Sequence, residues 1–125
     1  MAINIVVLYH SSHGSVEAMA HEIAESIEQH GATALLRTFV KRQPHDIVIS
    51  KDDLIHCDGL AFGTPTRFGM MASQAKSFWE TTSDLWLKGQ LIDKPACVFS
   101  SSSSMHGGNE ATLLNLSLPL LHHGM

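Results

Sequence analysis

Three short segments carry residue types from which a ligand site can be built. The first, Ser11-Ser12-His13-Gly14-Ser15, is a hydroxyl-rich turn leading into a helix that begins near Val16. Free backbone amides at a helix start, aided by the helix dipole, make a neutral cradle for a phosphate dianion. Serine and glycine also cap helices with no ligand involved, so this turn carries weight only in company. The second, Gly63-Thr64-Pro65-Thr66-Arg67-Phe68-Gly69, follows the apolar run Gly59-Leu60-Ala61-Phe62. Its glycines and proline fix an unusual backbone path. Thr66, Arg67 and Phe68 then offer a hydroxyl, a cation and an aromatic face, a mixture suited to a flat ring with polar edges; the plainer alternative is a structural turn with Arg67 in solvent. The third, Ser101-Ser102-Ser103-Ser104-Met105-His106-Gly107-Gly108, is serine-rich but lies between a buried strand and an apolar helix, where flexible linkers do not sit.

What these segments lack narrows the chemistry. The first turn has neither the Gly-Lys-Ser or Gly-Lys-Thr of a nucleotide phosphate loop nor the Gly-x-Gly-x-x-Gly of a dinucleotide fold. A phosphoacceptor domain needs carboxylates at the ends of strands one and three, where this chain has Tyr9-His10-Ser11 and Gly63-Thr64. Histidines number 9, but neither His10 and His13 nor His122 and His123 have the spacing that puts two imidazoles on one helix face, and no Cys or acidic cluster completes a ligand set. No metal is expected, and most of these histidines read as solvated surface.

The elements that must position the segments follow from periodicity. Residues 3 to 9 are almost all apolar, as in a strand covered on both faces. Val16, Met19, Ala20, Ile23, Ala24 and Ile27 recur at helical spacing, and Gly31 supplies a left-handed stop. Residues 32 to 38 form a second strand, 51 to 55 a short helix, and the third strand ends at Gly63. A helix spans 72 to 82, a fourth strand 95 to 100, and a leucine-rich helix 109 to 121 that Pro119 should kink or end a turn early. Alternating strands and helices imply an α/β fold with a parallel sheet, in which ligands bind beyond the carboxyl ends of the strands.

The two loops at 11–15 and 65–69, with the match continuing through Met71-Ala72-Ser73-Gln74, resemble the WrbA family of flavodoxin-like NAD(P)H:quinone oxidoreductases. The resemblance covers most of the chain and implies a doubly wound sheet of order 2-1-3-4-(5). It implies FMN, with its phosphate on Ser11, Ser12, His13, Gly14, Ser15 and Val16 and its ring against Thr66, Arg67, Phe68 and Gly69. The 101–108 loop, from Ser101 through Ser104, Met105, His106 and Gly107 to Gly108, would close over the flavin, and the family's Gly-Gly-Asn-Glu follows at 107–110. His122 matches a histidine that leans over the flavin, often from a neighbouring subunit; Trp86, with His13, would wall the substrate pocket, although tryptophan is frequently plain packing. Met70 stands where the family usually has asparagine. The implied reaction is ping-pong hydride transfer from NADH or NADPH through FMN to a quinone, in a homo-oligomer, dimer or tetramer. Two other readings stay open: a flavodoxin-type one-electron carrier, and a flavodoxin-like binding protein that no longer holds FMN. The family continues into a fifth strand and fifth helix where this chain stops at His122-His123-Gly124-Met125, so a single domain lacking its last edge strand is expected over 1–125.

Composition agrees with one small domain: 125 residues, 44% of them hydrophobic. Eight Lys and Arg against twelve Asp and Glu, a formal charge of -4 with no basic run, leave nucleic acid without its electrostatic footprint. The apolar opening is too short and lacks the preceding charge of a signal peptide, and no run is long enough to span a bilayer. Cys57 in a pre-strand turn and Cys97 in a buried strand read as reduced thiols of a cytoplasmic protein, with a Cys57–Cys97 disulfide the alternative that the sequence leaves open.

Overall fold

The computed structural model describes residues 2–125. Four strands form one parallel sheet in the order β2-β1-β3-β4, which is the doubly wound arrangement expected. β1 (Asn4–Tyr9) pairs on one side with β2 (Thr33–Thr38) and on the other with β3 (Gly59–Pro65), which in turn pairs with β4 (Ala96–Ser101). The period-2 alternation of strand side chains splits the core in two. Val7, Tyr9, Ala61 and Phe99 face α1 (Ser15–Gln29) and meet its Val16, Ala20 and Ala24. Val6, Leu8, Leu60 and Phe62 face the opposite way, against Leu54 of α2 (Lys51–His56), Ala75 and Trp79 of α3 (Ser73–Trp79), Leu85 of α4 (Ser83–Leu87), and Leu116 and Leu120 of α5 (Asn109–His122). Gly31, with φ 88°, follows α1 as its left-handed stop.

Four expectations need correction. β3 does not end at Gly63: its pairing with β1 stops there, but Thr64 and Pro65 continue in register with Ser100 and Ser101 of β4. The helix expected over 72–82 ends at Trp79, and a separate short helix, α4, follows. Thr81 and Thr82 cause the break, because their hydroxyls donate back to the carbonyls of Phe78 (2.6 Å) and Trp79 (2.7 Å) and close the turn. α5 runs through Pro119 to His122 instead of stopping early. Burial of Leu116 and Leu120 on either side of the proline outweighs the one backbone hydrogen bond it forfeits. Cys97 is exposed, not buried, because β4 is an edge strand and no described element covers the α1-side face at that position; both cysteines are free thiols. Seven histidines are exposed as expected, while His10 and His123 are buried.

Candidate functional site

The strand order brings the loops after β1, β3 and β4 together at the carboxyl edge of the sheet, where they enclose a cavity of about 430 Å3. Its walls are Ser11, Ser12, His13, Ser15 and Val16 from the first loop, Pro65, Thr66, Arg67 and Phe68 from the second, and Ser101 to Ser104 with Gly107 from the third. The three segments singled out in the sequence therefore share one cleft.

In the first loop Ser11 Oγ accepts from the amides of Gly14 and Glu17, both at 3.1 Å, and so ties the turn to the start of α1. Gly14, at φ 100°, is the residue before the helix, a backbone geometry that glycine adopts without strain. Among the described residues, nothing accepts from the amides of Ser12, His13, Ser15 or Val16. Four free N–H groups at the positive end of a 15-residue helix make an anion cradle that needs no lysine.

The second loop is a tight reversal. Arg67 N donates to Met70 O (2.9 Å) and Met70 N to Arg67 O (3.0 Å), with Phe68 at φ 54° and Gly69 at φ 76° between them. Two successive left-handed residues define a type I′ geometry, which glycine accepts freely and phenylalanine adopts at a cost of about 1 kcal/mol. In return the Phe68 ring, 99% exposed, stands free at the cleft mouth. Met70 contributes the backbone that closes the reversal, and its side chain is exposed. Thr66 is fixed from behind: Ser100 Oγ donates to Thr64 O (2.8 Å), so the Thr66 hydroxyl donates to Ser100 Oγ (3.1 Å).

The third loop depends on Gly107. A Cβ there would lie 2.4 Å from Ser104 Oγ and 2.8 Å from Ser102 Oγ, so the serine hydroxyls pack where only hydrogen fits. The serines keep negative φ, leaving the left-handed positions to His106 (54°) and Gly108 (96°). Gly108 packs against the second loop, where an added Cβ would meet Gly69 Cα at 3.4 Å and Thr66 Cγ2 at 3.5 Å.

Several expected site residues lie off the cleft wall. Gly14, Gly69 and Gly108 shape the loops without lining the cavity, and Met105 and His106 are exposed beside it. Trp86 and His122 line a separate groove of about 300 Å3 with Trp79, Thr82, Pro119 and His123. This chain does not bring them to the cleft formed by its own three loops.

Behind the cradle sit residues to which sequence reasoning assigned no role in the site, Arg42, Gln43 and Asp46 among them. A second cavity, about 420 Å3, shares the Ser11-Ser12-His13 wall and is completed by Tyr9, His10, Gly14, Glu17, Thr38, Val40, Arg42, Gln43 and Asp46. His10 is buried at the end of β1, and burial, then the nearby Arg42 and Arg67 guanidiniums, hold its imidazole below the ordinary range. Burial, reinforced by Glu17 and Asp46, pushes the Tyr9 phenol up to about 12. Both groups are therefore neutral near pH 7. The signal that could have found Arg42 is topological: β2 lies next to β1, so the loop after β2 must flank the loop after β1. Among the described residues no cluster of His, Cys, Asp and Glu has metal-binding geometry.

The sequence pattern of the family described as NADPH-dependent FMN reductase matches residues 3–124. A protein named NAD(P)H dehydrogenase (quinone) from Gluconacetobacter diazotrophicus is 40% identical over 97% of this chain and 67% of its own length. One of the same name from Geobacter sulfurreducens is 38% identical, over 98% of this chain and 69% of its own. The chain thus spans about two thirds of the length of these relatives. Among solved structures, the flavodoxin, WrbA-like protein from Agrobacterium tumefaciens superposes with a TM-score of 0.82 at 32% identity, covering 98% of this chain and 74% of that one. Flavodoxin 2 from Bacillus cereus, at 20% identity, a TM-score of 0.78 and coverage of 97% and 76%, shares the fold. With the cleft, the sheet order and the sequence pattern in agreement over almost its full length, the chain belongs to the NADPH-dependent FMN reductase family.

Proposed function

We propose that this protein is an NAD(P)H:quinone oxidoreductase that works through FMN held in the three-loop cleft. The observation that carries the reading is the set of four unpartnered amides at the start of α1, opposite a wall that presents Thr66, Arg67 and Phe68. The residues fit the group: the Ser12, His13, Ser15 and Val16 amides would take the phosphate, the hydroxyls of the serine-rich loop the ribityl chain, and Thr66, Arg67 and Phe68 the ring. When bound, FMN would supply two-electron hydride chemistry between NADH or NADPH and a quinone, in a ping-pong order.

The chain's own residues position and polarise. Arg67 brings a fixed cation to the cleft, and the 65–69 loop carries no carboxylate, so negative charge building up against this wall is stabilised. Phe68 and the rest of its tight reversal leave one side of the cleft open to a flat substrate. No side chain is needed as a covalent catalyst.

We place Trp86 and His122 in the same function through assembly. In a homodimer or homotetramer they would be offered to the cleft of a neighbouring copy, with His13 facing the substrate from within. The stripe Leu114, Leu118 and Leu121, exposed along one side of α5, supports self-association. The two free thiols fit a reducing, cytoplasmic setting. The test is oxidation of NADH and NADPH followed at their absorbance band, with benzoquinone as acceptor and FMN added. Turnover that needs both FMN and quinone is expected; quinone-independent or FMN-independent rates would overturn the proposal.

A further inference from the structure

The cradle is held from behind by a single cation. Arg42 Nη1 donates to the carbonyl oxygen of Ser11, 31 residues earlier in the chain. The Ser11 carbonyl and the Ser12 N–H belong to one peptide unit, which is planar and trans, so the two groups point in opposite directions. Arg42 lines the rear cavity and is absent from the cleft wall, whereas Ser12 lines both. Drawing the carbonyl toward Arg42 therefore turns the Ser12 N–H toward the cleft, as one of the four amides left unpartnered.

The segment carrying Arg42 is itself pinned. Asp46 Oδ2 accepts from the amides of Arg42 (3.0 Å) and Gln43 (2.9 Å), reaching back three and four residues to fix the backbone on which the guanidinium stands. Gln43 Nε2 donates to Glu17 Oε2 (3.3 Å) on the first turn of α1, and Thr38 and Val48 bridge the base of the loop. The loop after β2 thus braces the phosphate loop at both of its ends, at Ser11 and at Glu17.

We infer that Arg42 is a positioning residue for FMN: its hydrogen bond to the Ser11 carbonyl presets the orientation of the cradle amides that receive the phosphate. The inference rests on the FMN reading above. It assigns to a residue outside the cleft the part of FMN affinity that comes from the phosphate. Truncating Arg42 removes a preorganised amide and should leave the ring's contacts intact.

The test compares FMN with riboflavin, which lacks the phosphate, on the full chain by titration of flavin fluorescence. Wild-type protein should bind FMN more tightly than riboflavin. Arg42→Ala should lower FMN affinity by about tenfold with riboflavin affinity unchanged, and Arg42→Lys, which keeps a cationic donor, should recover part of the loss. Asp46→Asn, which weakens the acceptor that holds the Arg42 and Gln43 amides, should move in the same direction by a smaller factor. In flavin-free protein, Arg42→Ala should also shift the Ser12 amide resonance and speed its hydrogen exchange. Equal losses for FMN and riboflavin, an unchanged Arg42→Ala, or a loss that vanishes in high salt would overturn the inference while leaving the function intact. Wild-type protein that takes up no FMN at all would instead remove the functional reading on which the inference stands.

Discussion

The hydroxyl of Thr82 fixes the tautomer of His123. Thr82 Oγ1 spends its one proton on the Trp79 carbonyl at 2.7 Å, so at its 2.8 Å contact with His123 Nε2 it accepts, and the imidazole carries its proton on Nε2. His123 Nδ1 and the neighbouring Trp79 Nε1, both buried, have no partner among the described residues. Burial, then the adjacent His122, lowers the His123 pKa from the ordinary 6.5.

Stability should therefore depend on pH in a defined window. Between the lowered folded value and 6.5 the unfolded chain binds more protons than the folded one, so stability rises with pH through that interval and levels off above it. His10, lowered by burial and by Arg42 and Arg67, acts in the same direction. Urea midpoints measured across roughly pH 5 to 8 should fall on the acid side, and His123→Gln should flatten part of that slope. A midpoint that rises on acidification would contradict the assignment.

Removing the acceptor should cost more than removing a surface contact. Thr82→Val leaves the His123 Nε2–H unpaired inside the protein, and a loss of about 1–3 kcal/mol is expected by chemical denaturation. An unchanged unfolding midpoint would mean that the ring finds another partner.

Gly63 lies flat against Phe99. An added Cβ would sit 2.3 Å from Phe99 Cε2 and 2.5 Å from Cζ, so Gly63→Ala should destabilise by about 1–3 kcal/mol through overpacking. Pairing it with Phe99→Leu should recover part of that loss, measured as a coupling energy in a double-mutant cycle. Strict additivity of the two losses would argue against direct contact.

Ser11 links fold and site. Ser11→Ala removes the hydroxyl that accepts from Gly14 and Glu17, and a loss of stability of about 0.5–2 kcal/mol is expected, as for a helix cap. FMN affinity should fall in the same variant. A stable variant with full FMN affinity would show that the turn is held by other means.

Much of this was legible in the sequence because it rests on local rules. The apolar runs over 4–9 and 59–62, the helical recurrence from Val16 to Ile27 and the positive-φ Gly31 specify their elements without help from tertiary structure. The three loops were legible because glycine, proline and hydroxyl residues concentrate where the chain leaves a strand. What escaped depended on neighbours distant in sequence. Thr81 and Thr82 end α3 by bonding backward, which competes with a helical pattern that reads well through residue 82. Pro119 is overruled by the burial of Leu116 and Leu120, a packing term that propensity does not contain. The Cys97 environment depends on which element lies beyond β4, and the Arg42 contact depends on the sheet order placing β2 beside β1.

Flavin titration of the wild-type chain, by calorimetry with FMN and with riboflavin, addresses the central claim most directly. Saturable uptake of one FMN per chain, with markedly weaker binding of riboflavin, is the result expected of free amides waiting for a phosphate at the start of α1. No heat with either ligand at saturating concentration, or equal affinity for both, would contradict it.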